Sequence, residues 1–207
     1  MLKKGDLILF QGDSITDCSR NKEQSEDLGL GYPRFVTGAL AALRPSLCLR
    51  TLNRGIGGNR SLDLLNRWEE ECVALQPAML SILVGINDVW HRQKGSGCTN
   101  EELEANYRAI LTRTRQALGD IPILMMEPYL MPETTSGICR EDVDSILTIV
   151  RRLSREFGAR LIPLDGILNA YCNEMPSTMI SADGVHPTPH GHGIIAKHWL
   201  DAALPLI

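Results

Sequence analysis

The stretch Leu7-Ile8-Leu9-Phe10-Gln11-Gly12-Asp13-Ser14-Ile15-Thr16-Asp17 reads as a buried strand that ends in a sharp turn. An apolar run of this length, bounded by glycine, is the pattern of a strand inside a sheet. Gly12 lets the backbone turn where a Cβ would clash. Ser14 then stands just beyond a strand end, where open α/β sheets build their sites. A serine is a weak nucleophile alone, so the remainder of the chain must supply a base and an oxyanion site.

The same strand-and-turn pattern recurs downstream. Leu47–Leu52, Met79–Val84, Ile121–Met126 and Arg160–Leu164 are short and rich in Leu, Ile, Val or Met with little alternation, as expected of strands covered on both faces. Tyr32–Leu43 carries apolar residues at helical spacing and stops before Pro45. A second helix is expected over Ser61–Leu75. Thr99 and Glu102 have capping-box spacing, ahead of Leu103, Tyr107, Ile110, Leu111 and Thr114 at helical period. Another helix is expected over Glu141–Phe157, closed by Gly158, and a last one after Pro187 or Pro189. Repeated βα units imply a parallel sheet with right-handed crossovers. No repeat, low-complexity run or linker divides the chain, so the expectation is one domain over residues 1–207.

With 207 residues, 43% of them hydrophobic, the chain can bury a sizeable core. A net charge of −4 argues against a nucleic-acid surface, and Arg50, Arg54 and Arg60 read as a solvated face. The six cysteines (Cys18, Cys48, Cys72, Cys98, Cys139, Cys172) form no CxxC pair or zinc spacing. They read as free thiols and small buried hydrophobes in a reducing compartment. No stretch approaches membrane-spanning length, and Asp6 and Gln11 bracket a run too short for a signal-peptide core. The expectation is a cytoplasmic protein without a membrane partner.

Two further loops carry glycine with polar residues: Asn53-Arg54-Gly55-Ile56-Gly57-Gly58-Asn59 and Gly85-Ile86-Asn87-Asp88-Val89-Trp90. In a parallel sheet they emerge on the same edge as Ser14. Gly58 can offer a backbone N–H and Asn87 a side-chain amide; with the Ser14 N–H these make an oxyanion hole. The glycines do not spell GxGxxG, since position 60 is Arg, and no GxxxxGK occurs. Near the C-terminus, Asp183-Gly184-Val185-His186-Pro187 can fold so that the carboxylate meets the imidazole Nδ1–H, leaving Nε2 to accept the serine proton. His190 and His192 read as part of a helix start rather than as metal ligands.

Gly12-Asp13-Ser14, Gly58, Gly85-x-Asn87-Asp88 and Asp183-x-x-His186 together resemble the blocks of the SGNH hydrolases, also called GDSL esterases, from Leu7 to about Trp199. The resemblance implies a flavodoxin-like, three-layer α/β/α sandwich around a five-stranded parallel sheet. It also implies Ser14 as nucleophile, His186 as general base and acid, Asp183 as its orienting carboxylate, and no metal or organic cofactor. Phe10–Cys18, Trp68-Glu69-Glu70 and Gly85–Trp90 resemble the intracellular bacterial acetylxylan esterases of that superfamily. That resemblance implies an acetylated xylo-oligosaccharide or similar small acylated sugar as partner and allows a homo-oligomer. The chain departs from that pattern at Met125-Met126-Glu127-Pro128 and at Gly184.

Other residues have two readings each. Asp13 is a second carboxylate beside Ser14 that could touch substrate, or a turn-holding group. Trp90 is a sugar or acetyl-methyl contact or a core residue. Glu127 and Val185 lie in segments that could touch substrate. Asp17 and Asp88 read as structural, and Trp68 and Trp199 as core or subunit interface. Two other functions remain open: a thioesterase or lysophospholipase of the same superfamily, and a catalytically silent carbohydrate-binding or scaffold protein.

Overall fold

In a computed structural model describing residues 1–207, the strands β1 (Leu7–Gly12), β2 (Arg50–Asn53), β3 (Met79–Leu83), β4 (Ile123–Met126) and β5 (Arg160–Ile162) form one sheet. Every pairing is parallel and the order is β2-β1-β3-β4-β5. Strand β1 is central to the site: Leu9 pairs with Leu52 on one side and Leu80 on the other. The strand order reverses between β1 and β3, and at such a point the loops leaving the strands' carboxyl ends diverge and open a crevice.

Alternation along β1 explains why it reads as continuously apolar. Leu7 and Leu9 enter one core with Leu80, Ile82 and Met125. That core is covered by α3 (Ser61–Asn66), α4 (Trp68–Glu71), α5 (Ile86–Trp90), α6 (Asn100–Leu118) and α7 (Arg140–Glu156). Ile8 and Phe10 enter the opposite core with Leu83, Leu124 and Met126. That face is covered by α1 (Ser14–Asp17), α2 (Tyr32–Leu43), α8 (Leu164–Tyr171), α9 (Ser177–Ile180) and α10 (Pro189–Ala203). The result is the expected three-layer α/β/α arrangement around a five-stranded parallel sheet. Two indoles anchor the layers, both fully buried. Trp68 Nε1 donates to Thr114 Oγ1 at 3.1 Å and Trp199 Nε1 to Ser81 Oγ at 2.9 Å. Both belong to the core.

Several boundaries differ from the sequence expectation. β2 begins at Arg50 rather than Leu47, because Pro45–Leu47 form a 3-10 turn and Cys48 takes φ +43°. β5 ends at Ile162, because Pro163 starts α8. The helix expected over Ser61–Leu75 is broken at Arg67, which has φ −102° and ψ 8° and separates α3 from α4. Its last turn, Val73–Leu75, is 3-10. Helices α8 and α9 had no counterpart in the sequence reading. The Thr99 capping box forms in both directions, with Glu102 N donating to Thr99 Oγ1 and Thr99 N to Glu102 Oε2. The cysteines divide: Cys72 and Cys98 are buried, Cys18 and Cys172 half-buried, and Cys48 and Cys139 exposed. The buried-hydrophobe reading therefore fits only the first two. No helix is long and apolar enough to cross a membrane.

Candidate active site

Gly12 ends β1 where the chain is too crowded for any side chain: a Cβ there would run into the Leu83 carbonyl and the Thr16 hydroxyl. The next residue, Asp13, caps α1 by accepting from Ile15 N at 3.0 Å. Ser14 follows as the first residue of α1, half-buried, with Oγ 2.9 Å from His186 Nε2. His186 Nδ1 lies 2.6 Å from Asp183 Oδ2. The other Asp183 oxygen accepts from Val185 N, His186 N and Ser181 Oγ at 2.9, 2.7 and 3.2 Å. A carboxylate surrounded by donors draws the imidazole proton to Nδ1, so Nε2 carries the lone pair that faces the Ser14 hydroxyl. Burial would raise the Asp183 carboxyl, but the His186 ring N–H and these backbone donors outweigh it and hold it below the ordinary carboxylate range.

The loop bearing Asp183 and His186 is braced from below. Tyr129 Oη donates to the Val185 carbonyl at 2.5 Å, Met131 N to Gly184 O at 2.9 Å and Thr135 N to Asp183 O at 3.1 Å. Val185 itself is fully buried in the core. The structure thus corrects its reading as a substrate contact: its apolar side chain anchors the loop.

The second and third loops are tied to the first and to each other. Asp17 Oδ2 accepts from Gly57 N at 2.8 Å, and Asn53 Nδ2 donates to the Thr16 carbonyl at 2.6 Å. Asn87 Nδ2 donates to the Asn59 carbonyl at 3.1 Å. Asp88 accepts from the Ser61 backbone N–H at 2.9 Å and from Ser61 Oγ at 2.5 Å. Burial pushes the Asp88 carboxyl up, against these donors. Asp17 and Asp88 are therefore braces. Gly58 takes φ +81°, in the left-handed region where a side chain is strained. Ser14, Gly58 and Asn87 are thus carried on the segments that follow β1, β2 and β3, Gly58 on a loop as expected but Ser14 and Asn87 on the short helices α1 and α5.

The remaining candidates separate. The Trp90 ring packs 5.8 Å from the His186 ring, tilted by 45°, so it flanks the hydrogen-bonded chain. Glu127 does not join the site: it is fully buried and pairs with Arg151 Nε at 2.5 Å. Met125 and Met126 are buried too. His192, expected only at a helix start, lies in the first turn of α10 with its ring buried. There Nδ1 accepts from Tyr32 N at 3.1 Å, and Nε2 lies 3.3 Å from Cys18 Sγ. Burial pulls its imidazole down to about 4, which keeps Nδ1 free to accept.

Asp13 is fully buried, and its Oδ2 has no hydrogen-bond partner. Burial pushes its carboxyl up to about 7, against the Ile15 N–H and the nearby His186. The unfolded carboxyl ionises near 3.8, so the folded state keeps its proton longer and wild-type stability falls as pH rises from there through 7. Asp13→Asn lacks this titration while keeping a capping oxygen. Urea unfolding should show the variant gaining about 4 kcal/mol on wild type between roughly pH 4 and 8. A difference independent of pH would mean the carboxyl ionises alike in both states.

Chemically, a hydroxyl facing an imidazole lone pair, next to loops offering N–H groups, can attack an acyl carbon and hold the resulting oxyanion. Comparison with known proteins agrees with that chemistry. A model of the GDSL-like lipase/acylhydrolase family matches residues 10–194. An acetylxylan esterase of Geobacillus stearothermophilus is 33% identical over 205 residues, covering 95% of this chain and 93% of its own. Its crystal structure is similar with a TM-score of 0.89, over 97% of this chain and 95% of that one at 32% identity. A GDSL-like lipase candidate from Parabacteroides merdae ATCC 43184 has a TM-score of 0.92 at 35% identity, over 98% and 97% of the two chains.

Proposed function

Because the chain belongs to the GDSL-like lipase/acylhydrolase family and is a carboxylic ester hydrolase, we propose that it removes O-acetyl groups from carbohydrates such as acetylated xylo-oligosaccharides, using Ser14, His186 and Asp183. The observation that carries the reading is the unbroken chain from Ser14 Oγ to His186 Nε2 at 2.9 Å and from His186 Nδ1 to Asp183 Oδ2 at 2.6 Å. The Geobacillus relative is an acetyl-xylooligosaccharide esterase, and two of its solved forms are catalytic mutants with a serine and a histidine replaced by alanine. All 207 residues act as one catalytic domain in this reading. It works on soluble oligosaccharides in the cytoplasm, where exposed thiols such as Cys48 and Cys139 stay reduced.

In the first half-reaction Ser14 Oγ attacks the ester carbonyl carbon as His186 Nε2 takes the hydroxyl proton. The carbonyl oxygen becomes an oxyanion held by the Ser14 and Gly58 N–H groups and the Asn87 side-chain amide. Asp183 keeps the imidazolium oriented and its charge balanced. Collapse expels the sugar oxygen, which leaves with the proton from Nε2, and acetyl remains on Ser14. Water then attacks that acyl-enzyme with His186 again as base, and acetate departs. Trp90, packed beside His186, borders the space for a small acyl group.

Acetate release from a panel of acetylated xylo-oligosaccharides, alongside acetyl and octanoyl esters of one leaving group, tests the reading. Release of acetate and a preference for the acetyl ester are expected. A strong preference for octanoyl would replace the deacetylase with a thioesterase or lysophospholipase. Failure of Ser14 to react with a fluorophosphonate in folded protein would leave a silent scaffold.

A further inference from the structure

The helical pattern over Ser61–Leu75 gives no reason for a break at Arg67, yet the helix stops there and restarts as α4. The Arg67 side chain runs beneath the site. Nε donates to Asn59 Oδ1 at 2.8 Å, Nη1 to Gln11 Oε1 at 2.8 Å and Nη2 to the Gly12 carbonyl at 3.3 Å. Gln11 is itself fixed, donating to the Glu71 carbonyl at 2.5 Å. One guanidinium therefore joins the end of β1, which leads into Ser14, to the residue after Gly58. Asn59 passes the link on, since its carbonyl accepts from Asn87 Nδ2 at 3.1 Å.

The partners of Arg67 are all neutral oxygens. Glu71, four residues on, pairs instead with Arg54 Nε at 2.9 Å. Burial pulls the Arg67 guanidinium down to about 10, so it stays charged at neutral pH. A largely buried cation without a paired carboxylate is costly. Three hydrogen-bond acceptors offset part of that cost, and no carboxylate pairs directly with the charge.

We propose that Arg67 is a positioning residue for the oxyanion: it locks the Ser14 and Gly58–Asn59 loops in register and sets a fixed positive charge behind them. The inference rests on the esterase reading of the site. A neutral ester gains little from such a charge, whereas the tetrahedral oxyanion gains much, because the field is preorganised in a poorly screened region. The consequence belongs in kcat and in binding of tetrahedral mimics, not in ground-state affinity.

The test compares wild type with Arg67→Met and Arg67→Lys on a short acetate ester, with inhibition by an alkyl boronic acid that adds to the serine as a tetrahedral anion. Thermal melts report folding. For Arg67→Met, kcat should fall about 10- to 100-fold with KM within about threefold, and boronate affinity should weaken in proportion. Arg67→Lys, which keeps the charge but loses the fork, should recover part of both. Should Arg67→Met fail to fold, Asn59→Ala removes the link from the other end and should lower kcat and boronate affinity together, about tenfold. A folded Arg67→Met with wild-type kcat, or one whose loss lies in KM alone, overturns the inference. So does a fall in kcat with boronate affinity unchanged. Wild type that neither hydrolyses the ester nor reacts with a fluorophosphonate would instead overturn the esterase reading itself.

Discussion

Ser14→Ala is expected to hydrolyse a short acetate ester about 10⁴- to 10⁶-fold more slowly than wild type in kcat. The substitution removes only the hydroxyl that faces His186 Nε2. Asp183 still holds the imidazole, Asp13 still caps α1 through Ile15 N, and Gly12 still makes the turn. Stability should therefore stay within about 0.5 kcal/mol of wild type, as for other changes that open no cavity and orphan no buried group. Collapse of kcat in a protein that melts normally separates chemistry from folding. Equal rates in the two proteins would remove Ser14 from the mechanism.

The second large effect concerns the proton rather than the nucleophile. Asp183 Oδ1 accepts from the Val185 and His186 backbone N–H groups. An asparagine must keep its oxygen on that side to satisfy them. Its NH₂ then faces His186 Nδ1, where the carboxylate Oδ2 now stands. A donor there forces Nδ1 to accept, shifts the imidazole proton to Nε2, and leaves no lone pair for the Ser14 hydroxyl. Asp183→Asn should accordingly lower kcat about 10⁴-fold with the loop geometry retained. A loss below tenfold would show that the tautomer is set by something other than Asp183. The variant should also lose an acid-sensitive contribution to stability. With its carboxyl held low, Asp183 stabilises the fold above its unfolded pKa of 3.8, and that contribution disappears as pH falls through the folded value.

Much of this was legible in the sequence because it rests on local constraints. The Tyr32–Leu43 helix matches its expected limits, since the Pro at its first turn and the Pro beyond its end bound it locally. The Asp183–His186 pair was legible because side chains three residues apart on one turn lie within reach of each other, although distant residues brace the turn. The failures have the opposite character. Glu127 follows a strand end, as a site residue would, but its carboxylate is buried and pairs with the more exposed Arg151 on α7. Val185 neighbours His186, yet alternation along the loop turns it into the core. His192 does stand in the first turn of α10, as expected, but its bond from the Tyr32 N–H, far away in the chain, is beyond any local pattern.

By itself, then, the sequence determined the strand–loop–helix rhythm, the parallel sheet, and which residue types stand on the loops at its carboxyl edge. Those properties follow from hydrophobic periodicity and from turn residues acting over a few positions. Only the tertiary structure decided how the loops are held together: Asp17 on Gly57, Asn87 on Asn59, Asp88 on Ser61, and Arg67 across Gln11, Gly12 and Asn59. A buried polar group must find a partner wherever packing offers one. That partner is set by the three-dimensional juxtaposition of elements, which periodicity along the chain does not encode.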